Sequence, residues 1–281
     1  MIRIVGNVKT ASTARADRAI VRATFNSAAA AFDAEPLFFW EPCGRRTVEL
    51  AGIGSGSRVL DVCCGAGASA LEAARRVGRA GRVVGIDLAD RLLELARRKA
   101  VRSGLGNVEF RSGDMTHLEF PDRSFDAVVC VFGFYFARDL PGAARELWRL
   151  VRPGGTLAVT TWGTRALEPF HSVLFDALEA ERPDLRPPSV SWERINTAEA
   201  LTGALRAGGV VDPVVVSETL VREWDGRGAW TMVLGSGYRL VVDVLGSDAS
   251  ERVRADLERR LEERPPCAIT SDILFARARR P

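Results

Sequence analysis

One stretch constrains this chain more than any other: Val59-Leu60-Asp61-Val62-Cys63-Cys64-Gly65-Ala66-Gly67-Ala68-Ser69-Ala70. An apolar strand runs directly into a glycine turn and then into a helix, and Asp87 closes the strand that follows. Gly65 and Gly67 let the backbone approach a ligand closely, while the first turn of the helix offers amides with no partner inside the helix. A carboxylate at the end of the next strand can accept hydrogen bonds from two ribose hydroxyls. Strand, turn, helix, strand and acid in this order predict an adenosine-type site, and a Gly-x-Gly alone would not. By itself the segment does not separate a dinucleotide from another adenosine cofactor. Asp61 adds a second constraint, because an acid inside an apolar strand is costly unless a donor or a cation meets it. It either orients the glycine loop or meets a positive group of the ligand.

On both sides of this segment the apolar period alternates between strand and helix. Strands are predicted over 58–63, 82–86, 108–111, 125–131 and 157–161, and helices over 71–77, 91–102 and 140–151. Strands apolar on both faces, alternating with amphipathic helices, predict a layered sheet with parallel strands. Before them come an Ala-rich helix over about 15–32 and a second helix ending near Ala51, with Phe38, Phe39 and Trp40 between. After them come helices over 170–178, 198–206, 230–245 and 251–263, and two late strands over 213–220 and 269–278 that suggest an antiparallel finish. The expected organisation is an N-terminal helical cap (1–56), a cofactor-binding core (57–163), a helical insertion shaping a substrate pocket (164–211) and a C-terminal completion of the sheet with further helices (212–281).

Composition narrows the class without naming a function. The 281 residues are 47% hydrophobic and 27% charged, ordinary for a soluble globular protein able to bury its own core. The net charge is +3, and all but two of the 39 basic residues (Lys9 and Lys99) are arginines. Many alternate with acids, as between Glu251 and Arg264, which reads as a solvated, ion-paired helix face and not as a nucleic-acid surface. The five cysteines (Cys43, Cys63, Cys64, Cys130 and Cys267) show no metal-site spacing, so no metal is expected. Their odd count and the lack of a secretory leader point to a reducing cytoplasm. Charges interrupt every long apolar stretch, so no membrane span is expected.

With these residues in view, the chain resembles the class I methyltransferases that use S-adenosylmethionine. The likeness runs from Val59 through Asp87 and Gly113-Asp114 to Arg152-Pro153-Gly154-Gly155. Phe125 to Cys130 looks like the family's fourth strand, and Val131 to Asp139 and Arg145 to Gly155 are similar to ubiquinone and menaquinone methyltransferases in particular. The resemblance implies a Rossmann-like α/β fold, a largely parallel seven-stranded sheet with an antiparallel last strand and helical accessory segments. It implies that Gly65 and Gly67 pass beneath the methionine part of S-adenosylmethionine, with Asp61 supporting that loop. Asp87 would hold the ribose, Leu88 and Met115 would flank adenine, Asp114 would accept its amino group, and the backbone near Cys130 would face the methionine amine. Cys63 departs from the pattern, standing where the family has the first glycine of the loop. Structural readings stand beside these roles: Leu88, Met115 and Cys130 as core, Asp114 as a turn cap.

Ligands of open α/β sheets gather beyond the carboxyl ends of the strands. Phe132, Phe134, Tyr135 and Phe136 follow the fourth strand, Trp162 and His171 follow the fifth, and Phe39 and Trp40 can fold over the same opening. Such a set makes a mainly apolar pocket, unless it simply fills the core. His171 is the first candidate for a general base, because imidazole titrates near neutrality; Tyr135 could orient a substrate through its hydroxyl. His117, Arg138 and Asp139 have structural explanations. The expected reaction is direct transfer of the sulfonium methyl to an O, N or activated C atom of a small aromatic or apolar metabolite. A nucleic-acid methyltransferase, an NAD-dependent oxidoreductase and a noncatalytic cofactor-binding protein are the alternatives. The expected partner is a small molecule, with no nucleic acid and no membrane, and the flanking helices could support a homodimer.

Overall fold

The computed structural model describes residues 11–185, 190–264 and 267–281. Lys9, the expectation about a leader and the side chain of Cys267 lie outside the described residues. Seven strands form one sheet in the order β3-β2-β1-β4-β5-β7-β6. Strands β1 (Arg58–Val62), β2 (Arg82–Asp87), β3 (Val108–Ser112), β4 (Phe125–Val131) and β5 (Val151–Trp162) are parallel. Strand β7 (Cys267–Arg279) enters antiparallel between β5 and β6 (Val214–Trp224). This is the Rossmann-like sheet with a reversed last strand that the family resemblance implies, and it contains the parallel strands that the residue pattern predicts.

Alternation along the strands divides the core. Leu60, Val62, Val128 and Cys130 join one apolar cluster, while Val59, Ala127 and Val129 join a second on the other face. Helices α2 (Trp40–Leu50), α3 (Ala68–Val77) and α4 (Asp90–Arg102) bury their apolar stripes in the second cluster, with Val48, Leu71, Ala74 and Leu93 fully or almost fully enclosed. Helix α5 (Leu140–Leu150) covers the first, begun by the Asp139 carboxylate accepting the Gly142 N–H at 2.9 Å. Helix α6 (Phe170–Glu181) follows β5, and helix α7 (Ala198–Ala207) packs on α5 and β6. The latter starts at Thr197, whose side chain accepts from the Ala200 N–H.

Three departures from the expected elements have local causes. Strand β5 begins at Val151, six positions early, because Val151 already pairs with Phe125 before the Pro153-Gly154-Gly155 stretch shifts the register. The first helix, α1, spans Ala11–Ala28 and stops short of Phe32. The single helix expected over 230–245 is two, α8 (Ala229–Leu234) and α9 (Arg239–Leu245), broken at Gly235-Ser236-Gly237-Tyr238. Gly235 lies so close to the N-terminal cap that a Cβ there would sit 2.4 Å from the Ala31 carbonyl oxygen and 2.3 Å from Leu37 Cδ1. Helix α10 (Ser247–Glu262) then packs along α6 and carries the expected ion pairs, Arg254–Glu258, Arg259–Glu263 and Arg260–Asp256 among them.

Gly235→Ala must therefore push the α8–α9 bend off the cap. We expect a loss of about 1–3 kcal/mol in urea unfolding, as for other overpacked sites, with an unchanged midpoint counting against this contact.

Candidate active site

The site grows from the turn between β1 and α3. Three of its residues adopt left-handed backbone: Cys63 (φ 61°), Gly65 (φ 52°) and Gly67 (φ 85°). For Cys63 this conformation costs roughly 1–2 kcal/mol, since its Cβ crowds the following carbonyl. Its side chain fits because residue 133 is glycine; a Cβ on Gly133 would lie 2.3 Å from Cys63 Cβ and 2.7 Å from its Sγ. The chain thus departs from a glycine at 63 and keeps the glycine's backbone path.

Asp87 ties this turn to the neighbouring strand. Its Oδ2 accepts the Gly65 N–H and its Oδ1 the Ala89 N–H, each at 2.9 Å. The carboxylate is half-buried, and desolvation pushes its pKa up against the opposing pull of these backbone donors. Each oxygen keeps a second lone pair for a ligand hydroxyl. Asp61 is fully buried behind the turn, under α3, and does not face the cavity. Its Oδ2 accepts the Ser69 hydroxyl at 2.6 Å, whereas Oδ1 is buried with no partner among the described residues. Desolvation pushes its pKa up to about 7. A glycine turn with left-handed backbone, braced from behind by a buried carboxyl, and a half-buried acid at the next strand end fit an adenosine cofactor.

A cavity of about 700 Å³ opens beside this turn. Cys63, Gly65, Asp87, Leu88, Asp114 and Met115 line one end of it. Asp114 both faces the cavity and caps its own turn: Oδ1 accepts from the Thr116 N–H and hydroxyl, and Oδ2 pairs with Arg18 of α1 at 3.2 Å. Gly67 and Cys130 stand behind the wall. A Cβ on Gly67 would meet Ala96, Phe110 and Leu71, and Cys130 is fully buried among core residues.

The other end is aromatic. Phe132 stacks on Trp162 with ring centroids 4.1 Å apart, and Phe39 meets Trp162 edge-on at 5.1 Å. Trp40 stacks on Phe32, whose ring covers Gly65. Phe39, Trp40, Phe132, Tyr135 and Trp162 all line the cavity, while Phe134 turns into the core. Burial drives the Tyr135 phenol well above its ordinary range, although a hydrogen bond from Trp162 pulls the other way. His171 does not line the cavity. It sits behind Tyr238, with Nδ1 2.7 Å from the Tyr238 hydroxyl, and Tyr238 is the residue that faces inward. Trp192 and Phe175 complete that wall.

Tyr238, Trp192, Phe175 and the α1 residues over the turn were not foreseen. One signal pointed to Tyr238: it is one of two tyrosines in the chain and follows Gly-Ser-Gly inside an otherwise helical pattern. His117 is exposed and bridges the Asp114 backbone, Arg138 pairs with Asp17, and Asp139 caps α5, in keeping with their structural readings. Among the described residues no three His, Cys, Asp or Glu side chains gather to hold a metal, and no helix is long and apolar enough to cross a membrane.

Comparison with known proteins places this arrangement. A methyltransferase domain family matches residues 59–155. The nocamycin O-methyltransferase of Saccharothrix syringae is 32% identical over 254 residues, covering 84% of this chain and 89% of that protein. The aklanonic acid methyltransferase DauC of Streptomyces sp. (strain C5) is 34% identical over 199 residues, covering 67% and 90%. Among solved structures, the YcgJ protein of Bacillus subtilis superposes with a TM-score of 0.58 at 18% identity, over 85% of this chain and 98% of that one, a likeness of fold.

Two consequences can be measured without a ligand. Gly133→Ala should destabilise the protein, and Cys63→Gly should remove more than about 1 kcal/mol of that cost; additive effects in the double mutant would deny the contact. For Asp61, between its ordinary 3.8 and about 7 the folded chain holds a proton that the unfolded chain has lost, so stability falls as pH rises through that window. Asp61→Asn should flatten the decline of Tm between about pH 4 and 7 in the ligand-free protein, and an unaltered slope would contradict the buried carboxyl as its source.

Proposed function

The chain belongs to the class I S-adenosylmethionine-dependent methyltransferases, and from that premise we propose that it methylates a hydroxyl oxygen of a small, flat aromatic metabolite. Membership itself establishes S-adenosylmethionine as the cofactor and a small organic metabolite as the acceptor class, and removes the NAD-dependent oxidoreductase reading. When bound, S-adenosylmethionine supplies an electrophilic methyl group on a sulfonium centre.

In this reading Asp87 accepts the two ribose hydroxyls on its free lone pairs, and Leu88 and Met115 hold the adenine between them. Asp114 receives the adenine amino group. The backbone of Cys63 and Gly65 runs along the methionine part, and Asp61, Gly67 and Cys130 support that path from behind. On the acceptor side, Phe39, Trp40, Phe132 and Trp162 offer flat apolar surfaces, Tyr135 orients the acceptor, and His171, behind Tyr238, receives the acceptor's proton only indirectly.

The observation that carries the reading is the chemistry of the far wall. Every cavity-lining residue from Trp162 onward among the described residues is uncharged, including Phe175, Val190, Ser191, Trp192, Tyr238 and Val241. These residues suit a neutral aromatic body with a few hydrogen-bonding groups, while the charged lining residues, Arg18, Lys99, Arg102 and Arg138 among them, all come from earlier in the chain. The oxygen as target is supported by the relative named as a nocamycin O-methyltransferase, and a polar-substituted acceptor by the aklanonic acid methyltransferase. Because attack must come from opposite the departing sulfur, positioning by these walls supplies much of the rate.

Mass localisation of a labelled methyl group after incubation with hydroxylated aromatics tests the proposal; transfer only to nitrogen or carbon would refute the oxygen assignment. For the cofactor end, Asp87→Ala should weaken S-adenosylmethionine binding about 30-fold in calorimetry, the loss of roughly 2 kcal/mol from hydrogen bonds to a charged acceptor. Unchanged affinity in a folded variant would remove Asp87 from the ribose.

A further inference from the structure

We infer that Tyr238 is the group that takes the acceptor's proton and hands it to His171, so that the two form a relay with the phenol facing the acceptor. The inference rests on the oxygen-methylation reading above and assigns its proton path. Three observations carry it. Tyr238 lines the cavity and His171 does not. The Tyr238 hydroxyl and His171 Nδ1 lie 2.7 Å apart, a short hydrogen bond. The pair is clamped by aromatic rings, with Phe170 at 5.5 Å and Trp192 at 6.3 Å from Tyr238, and Phe175 at 4.7 Å and Trp192 at 5.6 Å from His171.

The position of the phenol follows from the break between α8 and α9. Gly235 packs against the cap, the Ser236 hydroxyl accepts the Tyr238 N–H at 3.3 Å and donates to the Met232 carbonyl at 2.6 Å, and Tyr238 then starts the next helix at the cavity wall. An unbroken helix over this stretch would have no such corner.

Burial, with the charges of Tyr135 and Glu168 adding to it, raises the Tyr238 phenol well above its ordinary value. It therefore rests protonated and works as a neutral carrier. Its O–H points its proton at Nδ1 and leaves an oxygen lone pair for the acceptor hydroxyl. As the acceptor oxygen bonds to the methyl carbon, the carbon–sulfur bond breaks and its electron pair stays on sulfur, which becomes neutral. The acceptor's proton passes to the Tyr238 oxygen, and the phenolic proton passes to Nδ1, leaving an imidazolium. Proton acceptance of this kind contributes on the order of 10²–10⁴-fold.

The test has two arms. Nitrogen-15 NMR of the ligand-free protein reads the pair directly, because the chain has only two histidines and His171→Gln assigns the signals. The neutral ring should carry its proton on Nε2, and in Tyr238→Phe the Nδ1 resonance should move toward that of an unbonded imine nitrogen. A proton on Nδ1, or a resonance indifferent to Tyr238→Phe, overturns the relay. The second arm compares methylation of a weakly acidic naphthol with that of a nitrophenol already ionised at the assay pH. Tyr238→Phe should lower kcat on the naphthol about 100-fold or more and on the nitrophenol by no more than about threefold, with His171→Gln alike and the double variant no worse. Equal losses on both phenols overturn the relay in favour of packing. Failure of the wild-type enzyme to methylate either phenol, with the Nδ1 hydrogen bond present, overturns instead the oxygen-methylation reading and the relay's use in it.

Discussion

Two backbone N–H groups, those of Gly65 and Ala89, converge on the Asp87 carboxylate, and the cofactor end of the molecule is organised around that convergence. One bond holds the glycine turn leaving β1; the other fixes the start of α4. Two adjacent strand ends and two helix starts are thereby set relative to each other by a single side chain. The close approach requires small residues nearby. Gly85 leaves room for Phe110 and for Cys64 Sγ, which would lie 2.7 and 2.9 Å from a Cβ at that position. Desolvating the carboxylate is unfavourable, and the two charge-assisted bonds offset part of that cost. What is left over is a half-buried acid that lines the cavity, so the side chain that builds the turn is also the one proposed to hold the ribose.

This end of the molecule was legible in the sequence because its chemistry is local. Val59 to Ser69 and Asp87 belong to consecutive elements, and backbone direction alone brings them together. The seven strands were legible for a related reason, since each carries its own period and its own turn residues. The acceptor end is assembled from distant pieces. Trp192 comes from a short 3-10 turn (Ser191–Ile195), Tyr238 from a helix break and Phe32 from the cap, and no periodicity links them. Sequence placed His171 near the acceptor but could not show that another ring stands in front of it. It likewise flagged Cys63 as a departure from glycine, but the compensation lies 70 positions away at Gly133, visible only as a steric contact.

The arginines also change meaning once paired. Several join the cap to the core around the cavity rim: Arg18 to Asp114, Arg22 to Asp90, and Arg138 to Asp17, with Lys99 to Asp33 beside them. Exposed pairs of this sort contribute about 0–1 kcal/mol each, so their value is in registering α1 over the turn more than in holding the fold. Arg149 does more. It bridges Glu146 and Asp122 and donates to the Leu118 and Phe120 carbonyls, closing the loop between β3 and β4. A net charge of +3 thus comes from a surface on which many arginines are held in intramolecular ion pairs.

The two ends of the cavity therefore differ in what can vary. The end of the cavity beside the glycine turn is built from backbone amides, left-handed turn residues and one acid, so a substitution there disturbs the fold as well. The other end is lined by side chains on elements that the sheet does not need: the cap, the turn after α6 and the α8–α9 corner. Those elements can change shape without disturbing the strand order. The Gly235–Tyr238 corner is the clearest instance, since a helix break placed against the cap brings a phenol and, behind it, an imidazole to a wall that is otherwise apolar. A rigid turn and an adjustable wall can thus coexist in one cavity, because backbone defines the first and side chains from outside the sheet define the second.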